Sequence, residues 1–136
     1  MMQKTLTAIL ALLHALRLSH HVAHLTAKGP QFYQTHLMFE RLYTPLVDEF
    51  DGIAEFAVSV NVTFDACSIT RDAYPLLEAW EKTADPIERA LKAELDLQKA
   101  IKSAVDSKLP APLDNRLRTL ADSHSTAIYL LQQSRA

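Results

Sequence analysis

Apolar residues recur every three or four positions along most of this chain, a spacing that predicts amphipathic helices. The first helix is predicted from about Gln3 to Thr26, and because it is apolar on more than one face it should be buried against several neighbours. A second is predicted from about Gln31 to Val60, after a break at Gly29. Its apolar stripe consists of Phe39, Leu42, Leu46, Phe50, Ile53 and Ala57.

One proline interrupts the second stripe. Pro45 removes a backbone hydrogen bond, so we expect the helix to kink there. The alternative is two separate helices, but no loop-forming residues surround Pro45.

Three further helices are predicted in the second half. A connection should carry a short helix over Ala73–Lys82. The next helix begins with Asp85 as its N-cap and Pro86 at its first position. The last is predicted from Asp114, as cap, to about Gln133. The apolar stripes of these last two helices are Ile87, Leu91, Leu95, Ile101 and Val105, and Leu117, Leu120, Ala127, Ile128 and Leu131.

The order of these elements predicts the fold class. Two long helices, a long connection and two more helices are typical of an all-α, ferritin-like four-helix bundle with one crossover, here carrying a short helix. The length of 136 residues is that of a single domain, residues 1–136.

The amino-acid composition limits which partners the protein can be expected to bind and in which compartment it should occur. The formal net charge of −2 gives no general reason to bind nucleic acid or an anionic membrane. His14 and Arg17 interrupt the N-terminal apolar run, so neither a signal peptide nor a membrane-spanning segment is expected. A single cysteine, Cys67, allows no internal disulfide, which favours a cytoplasmic location. We expect Cys67 to behave as a small apolar residue and to be buried.

Side chains that bind metals are concentrated in the first half. His36 and Glu40 are four residues apart and share a helix face, as do Asp51 and Glu55. His24 ends the first helix opposite the start of the second, so antiparallel packing would bring it near His36. Imidazole and carboxylate ligands together suit iron, manganese or zinc.

Helix length separates these ligands within one chain. From His36 to Asp51 an α-helix rises roughly 22 Å, so a single chain cannot gather both ends around one metal ion. A second copy, antiparallel about a two-fold axis, could supply the carboxylates. No Glu-x-x-His motif occurs, which makes a di-iron centre inside the bundle the poorer candidate. Alternatively, Asp51 and Glu55 form a solvated helix face and the histidines are surface or capping residues.

The segment HLTAKGPQFYQTHLMFERLY, followed by DEFDGIAE, resembles the Dps family, mini-ferritins that protect DNA in starved or oxidatively stressed cells. The residues that carry the resemblance are His24, Lys28, Gly29, Pro30, Phe32, His36, Asp51 and Glu55.

The resemblance implies a ferroxidase that stores iron. Members of this family form hollow dodecamers, oxidise Fe(II) at intersubunit sites, preferentially with hydrogen peroxide, and store the ferric mineral inside. It implies that His24 and His36 come from one subunit and Asp51 and Glu55 from its two-fold mate. Glu40 lies where the family commonly has an Asp that supports a second metal position. The metal would be non-haem iron, with zinc or manganese as substitutes.

Three departures from the family pattern qualify that expectation. Leu25 replaces the Trp that usually follows the first ligand His, Glu40 replaces an Asp, and Pro45 lies between the two halves of the site. A structural cage with weakened iron chemistry is therefore one alternative. A DNA-binding nucleoid protein is another, but Lys4 and Arg135 alone do not make basic tails, so DNA binding should be weak or absent.

Other candidates leave alternatives open. His20 and His21, about one turn before His24, either support the ligands or pass iron to them, or simply face solvent. His124 lies on the apolar stripe of the last helix, where a hydrogen-bonded core or interface histidine is the better interpretation. Asp114 resembles the acidic residues that line an iron channel in the family, but capping explains it more simply.

Overall fold

The computed structural model describes residues 2–135. Its helices are α1 (Met2–Thr26), α2 (Phe32–Tyr43), α3 (Leu46–Ser59), α4 (Ala66–Glu81), α5 (Pro86–Asp106) and α6 (Ala111–Gln133).

The segments α2 and α3 form one bent helix. Thr44 and Pro45 both keep right-handed helical backbone angles, and Thr44 N–H still donates to Glu40 O at 3.1 Å. Because Pro45 has no N–H, the helical hydrogen bonding is interrupted there and the axis bends. The predicted kink is confirmed, and so is the ferritin-like bundle, formed by α1, α2–α3, α5 and α6 with α4 in the crossover.

Helix α1 is the centre of the core and packs against α2, α3, α4 and α5. Its fully buried side chains include Leu6, Leu10, Leu13 and Leu16. The helix is long and apolar enough to cross a membrane, contrary to the expectation from sequence, but 61% of its most apolar window is buried by the rest of the chain. This burial is what the many-sided apolar pattern predicted.

The crossover helix differs most from prediction. It begins at Ala66 rather than Ala73, because Asp65 and Ser68 form a capping box in which Ser68 N–H donates to Asp65 Oδ1 at 2.8 Å. Cys67 lies in its first turn and is exposed, so the expected burial of this thiol is wrong.

The last two helices, α5 and α6, also differ from the prediction in two details. Helix α6 begins at Ala111, so Asp114 is not its cap and instead forms an exposed ion pair with Arg118. Leu95, assigned to the buried stripe of α5, is 50% exposed, and Glu94 beside it is completely buried. Leu91 and Ile101 of the predicted stripe are buried, so the clear difference is at Leu95, whose place on the buried face is taken by Glu94.

Candidate metal centre

The turn between α1 and α2 brings two imidazoles together. Gly29 adopts φ +91°, a left-handed conformation that glycine tolerates, and its carbonyl accepts a hydrogen bond from Phe32 N–H at 3.0 Å. The chain reverses there and α2 packs along α1. The rings of His24 and His36 are stacked, with centroids 3.8 Å apart and planes 22° from parallel. The juxtaposition expected from sequence is therefore present.

Reciprocal hydrogen bonds fix these two rings. His24 Nδ1 lies 2.7 Å from His36 O, and His36 Nδ1 lies 2.9 Å from His24 O. A carbonyl oxygen only accepts, so each Nδ1 must carry its hydrogen. In the neutral ring Nε2 is then left with a lone pair, which is the form of imidazole that binds a metal ion.

Aromatic rings enclose the imidazole pair. Phe32 stacks on His36 at 5.0 Å, and Tyr43 lies 5.2 Å from His24. Tyr43 also stacks on His21 at 4.4 Å, so the His21 ring is half-buried rather than fully in solvent. Leu25 is 64% exposed, and the two nearest rings to His24, those of His36 and Tyr43, both come from α2.

The predicted carboxylate ligands lie on the surface of the bent helix. Glu40, Asp51 and Glu55 are all exposed, and within residues 2–135 none of them forms a salt bridge. Asp51 lines a small pocket with His14 and Arg17. Burial, and then the charge of Arg17, lower the pKa of His14. The structure therefore brings together the imidazoles of the predicted site but not its carboxylates.

A single chain does not assemble a complete metal site. In the described part of the chain, no group of three or more His, Cys, Asp or Glu side chains is placed to hold a metal ion. A metal ion bound by His24 or His36 would take its remaining ligands from another molecule or from water.

A second polar cluster, which the sequence did not reveal, lies inside the bundle. Glu94 is completely buried, and its two carboxylate oxygens lie 2.8 Å from His20 Nε2 and 2.6 Å from His124 Nδ1. His124 Nε2 in turn lies 2.9 Å from Glu49 Oε1. These four residues, here called the core network, come from four different helices.

Mutual pairing sets the charges of the core network. Burial alone would lower the pKa of His124, but hydrogen bonds to Glu49 and Glu94 outweigh it and raise the pKa to about 10. Burial would likewise raise the pKa of Glu94, yet hydrogen bonds from His124 and His20 hold it below its usual value. At neutral pH His124 is thus an imidazolium paired with the Glu94 carboxylate.

The core network shows which of the alternatives considered for His20 and His124 is correct. His124 is a hydrogen-bonded core histidine, as expected, whereas His20 is fully buried and the solvent-facing alternative is wrong. Among the described residues, only the Nδ1 atom of His20 is a buried side-chain nitrogen or oxygen with no hydrogen-bond partner. Neither carboxylate of the core network, Glu49 or Glu94, is among the residues predicted from sequence. Glu94 leaves one trace in the sequence: it lies three residues after Leu91 and three before Leu97, both buried.

The helix order and the crossover define a ferritin-like protein fold. No protein-family model matches the sequence, and no curated protein matches it. Solved structures do match: Dps from Thermosynechococcus elongatus has a TM-score of 0.81 over 96% of this chain and 87% of that one, at 16% identity. A histidine-to-glycine mutant of Listeria innocua Dps has a TM-score of 0.79 over 96% of this chain and 93% of that one, at 16% identity. A mutant of the same protein with two histidines changed to glycine has a TM-score of 0.77 over 96% and 91%, at 14% identity.

These likenesses establish the architecture. The chain has a Dps-like ferritin fold along nearly its whole length. At 14–16% identity this likeness is one of fold, and one fold carries many different functions.

Proposed function

We propose that this protein is a ferroxidase and iron-storage mini-ferritin. It would oxidise Fe(II), with hydrogen peroxide as the expected oxidant, at sites shared between two copies of the chain, and store the ferric mineral in a hollow oligomer. The observation that carries the proposal is the reciprocal pairing of His24 and His36, which holds both imidazoles in the metal-binding tautomer.

The surface around the imidazoles favours a shared site. Leu18, Val22 and Leu25 follow one another at helical spacing along α1 and are 36%, 41% and 64% exposed. Val47 on α3 is 50% exposed. Exposed apolar side chains grouped in this way are typical of protein interfaces. A two-fold mate packed here would cover them and would bring its Asp51 toward the imidazole pair.

The ligands suit iron as substrate. A metal–nitrogen bond lies in the plane of the imidazole ring, so two rings stacked 3.8 Å apart favour two neighbouring metal positions over one shared ion. Two ferrous ions would supply the two electrons that, together with two protons, reduce one hydrogen peroxide to two waters, and both ions would become ferric. Asp51 and Glu55 from the mate would neutralise part of the charge that increases as Fe(II) becomes Fe(III), and Glu40 would assist at the second position.

Assembly and location follow from the same proposal. Two-fold dimers would assemble into a homododecamer in the cytoplasm. By consuming Fe(II) and peroxide, this oligomer would protect the cell against oxidative damage. DNA binding should be weak, because the chain is net negative and Arg135 pairs with Glu88 at 2.8 Å instead of extending as a free cation.

Stopped-flow absorbance after mixing Fe(II) and peroxide with the protein tests the proposal. We expect fast oxidation by the wild type, and a loss of at least tenfold in rate in His36→Ala and in Asp51→Ala. Glu78→Ala, an exposed carboxylate on α4, is the matched control and should oxidise iron at the wild-type rate. Wild-type rates in both site variants would refute the proposal.

A further inference from the structure

The bent helix divides the proposed ligands. His36 lies on α2, before Pro45, and Asp51 and Glu55 lie on α3, after it. Because Pro45 interrupts the helical hydrogen bonding, α2 alone does not fix the direction of α3. Whatever holds α3 against the bundle therefore decides where the carboxylates lie relative to the imidazoles.

Two side chains of α6 contact α3 along one half-buried side. His124 Nε2 donates to Glu49 Oε1 at 2.9 Å. Arg116 Nη1 donates to the Gly52 carbonyl at 3.3 Å, and its guanidinium lies 5.9 Å from the centre of the Phe56 ring. Positions 49, 52 and 56 follow helical spacing along one face, and the two exposed carboxylates lie on the other.

Apolar packing and the contacts from α6 act together on α3. The buried residues of α3 are Leu46, Ile53 and Ala57, and its partly buried Phe50 and Phe56 pack against the same core. The hydrogen bonds from α6 add directional contacts to this packing, and these help to fix the rotation of α3 about its axis.

The same contacts connect α3 to the imidazole helix. His124 is held by Glu94, which also binds His20 on α1 at 2.8 Å. His20 lies one helical turn before His24. A continuous hydrogen-bonded chain thus runs from the helix that presents an imidazole ligand to the helix that presents the carboxylates.

We propose that His124 and Arg116 are positioning residues of the shared metal site, holding α3 so that Asp51 and Glu55 meet the imidazoles of the two-fold mate. This inference rests on the proposed function for the identity of the ligands. Mutation of residues that orient metal ligands without touching the metal commonly lowers metal affinity by about 10–100-fold. We expect a loss of that size when His124 or Arg116 is replaced.

Distances between spin labels test whether α3 moves. Labels are attached at Gln34→Cys on α2 and Ser59→Cys on α3, both exposed, in a Cys67→Ser background because Cys67 is exposed as well. Labelled chains are diluted with unlabelled ones, and pulsed electron–electron double resonance is recorded without metal. A 10° change in the bend would move the far end of α3 by roughly 3 Å, given about 1.5 Å rise per residue.

Three variants of α6 are compared on this background. Arg116→Ala and His124→Gln should shift or broaden the distance distribution. Arg118→Ala should not, because within residues 2–135 the ion pair of Arg118 is with Asp114 of the same helix. Arg116 is exposed, so its variant should fold even if His124→Gln does not. Unchanged distributions in folded Arg116→Ala and His124→Gln would overturn the inference.

Cobalt(II) binding by calorimetry completes the test. We expect a 10–100-fold loss of affinity in Arg116→Ala, and partial recovery in Arg116→Lys, whose ammonium can still donate to the Gly52 carbonyl. Wild-type affinity in the alanine variant would refute the positioning role and leave the proposed function standing. Absence of Co(II) binding in every variant, the wild type included, would instead refute the proposed function.

Discussion

Removing the carboxylate of Glu94 should destabilise the protein more than any exposed charge change. In Glu94→Ala, His20 Nε2 and His124 Nδ1 both lose a buried partner, at 2.8 and 2.6 Å respectively. Removing one partner of a buried ion pair costs about 3–5 kcal/mol, because the remaining charge is left without compensation. His124, charged at neutral pH, would keep only its bond to Glu49, so we expect a loss within that range.

Substitution by glutamine separates charge from shape. Glu94→Gln keeps the volume of the side chain and can still accept from His124, so it should cost less than Glu94→Ala, about 1–3 kcal/mol. Asp106→Ala is the matched control for loss of an ion pair: its partner Lys102 lies 3.0 Å away, but both side chains are well exposed. Exposed pairs of this kind contribute about 0–1 kcal/mol.

Urea unfolding followed by circular dichroism at 222 nm measures these differences. All variants are compared at neutral pH and at one protein concentration, since assembly would add to the apparent stability. Equal free energies of unfolding for Glu94→Ala and Asp106→Ala would refute the view that the core network stabilises the bundle.

The remaining predictions concern pH and the turn. The stability that His124 contributes should be complete below the pKa of an unfolded histidine, about 6.5, and should be lost as the pH rises through its folded-state pKa of about 10. Glu94 has a lowered pKa, so the stability that it contributes should be lost as the pH falls toward and below 4.5. Urea midpoints from pH 3 to pH 10.5 test this, and a flat alkaline limb would contradict it. Gly29→Ala should cost about 1–2 kcal/mol through its positive φ alone, because nothing lies within 4 Å of the added Cβ. Gly52→Ala is the matched control and should be neutral or stabilising, since Gly52 is helical and its added Cβ would meet only Arg116 at 3.7 Å.

The parts predicted correctly from sequence depend on residues close together in the chain. The bundle follows from helical periodicity, and the pairing of His24 with His36 follows from a helix end, a Gly29 turn and a helix start within thirteen residues. The kink at Pro45 follows from the missing N–H of one residue. The assignment of Asp51 and Glu55 as ligands stays a prediction, since it needs a second copy of the chain.

The parts missed depend on contacts between distant residues. His20 and Glu94 are 74 positions apart, and His124 and Glu49 are 75 apart, so no local spacing connects them. A carboxylate on an apolar stripe looks unfavourable until its partners are known, because burial of a lone charge is costly. Periodicity predicted the burial of Leu91 and Ile101 correctly but placed Leu95, rather than Glu94, on the buried face of α5 between them.

The core network and the His24–His36 pair differ in whether their nitrogen and oxygen atoms are already occupied by hydrogen bonds. In the core network, protonated His124 donates from both ring nitrogens and both oxygens of Glu94 accept, so a metal ion would first have to displace a proton from a group with a pKa of about 10. His24 is buried and His36 half-buried, and within residues 2–135 both hydrogen-bond through Nδ1 and leave Nε2 without a partner. The hydrogen bonding thus makes His24 and His36, rather than the core network, the candidate ligands of the proposed metal site, whereas the core network joins four helices of the bundle.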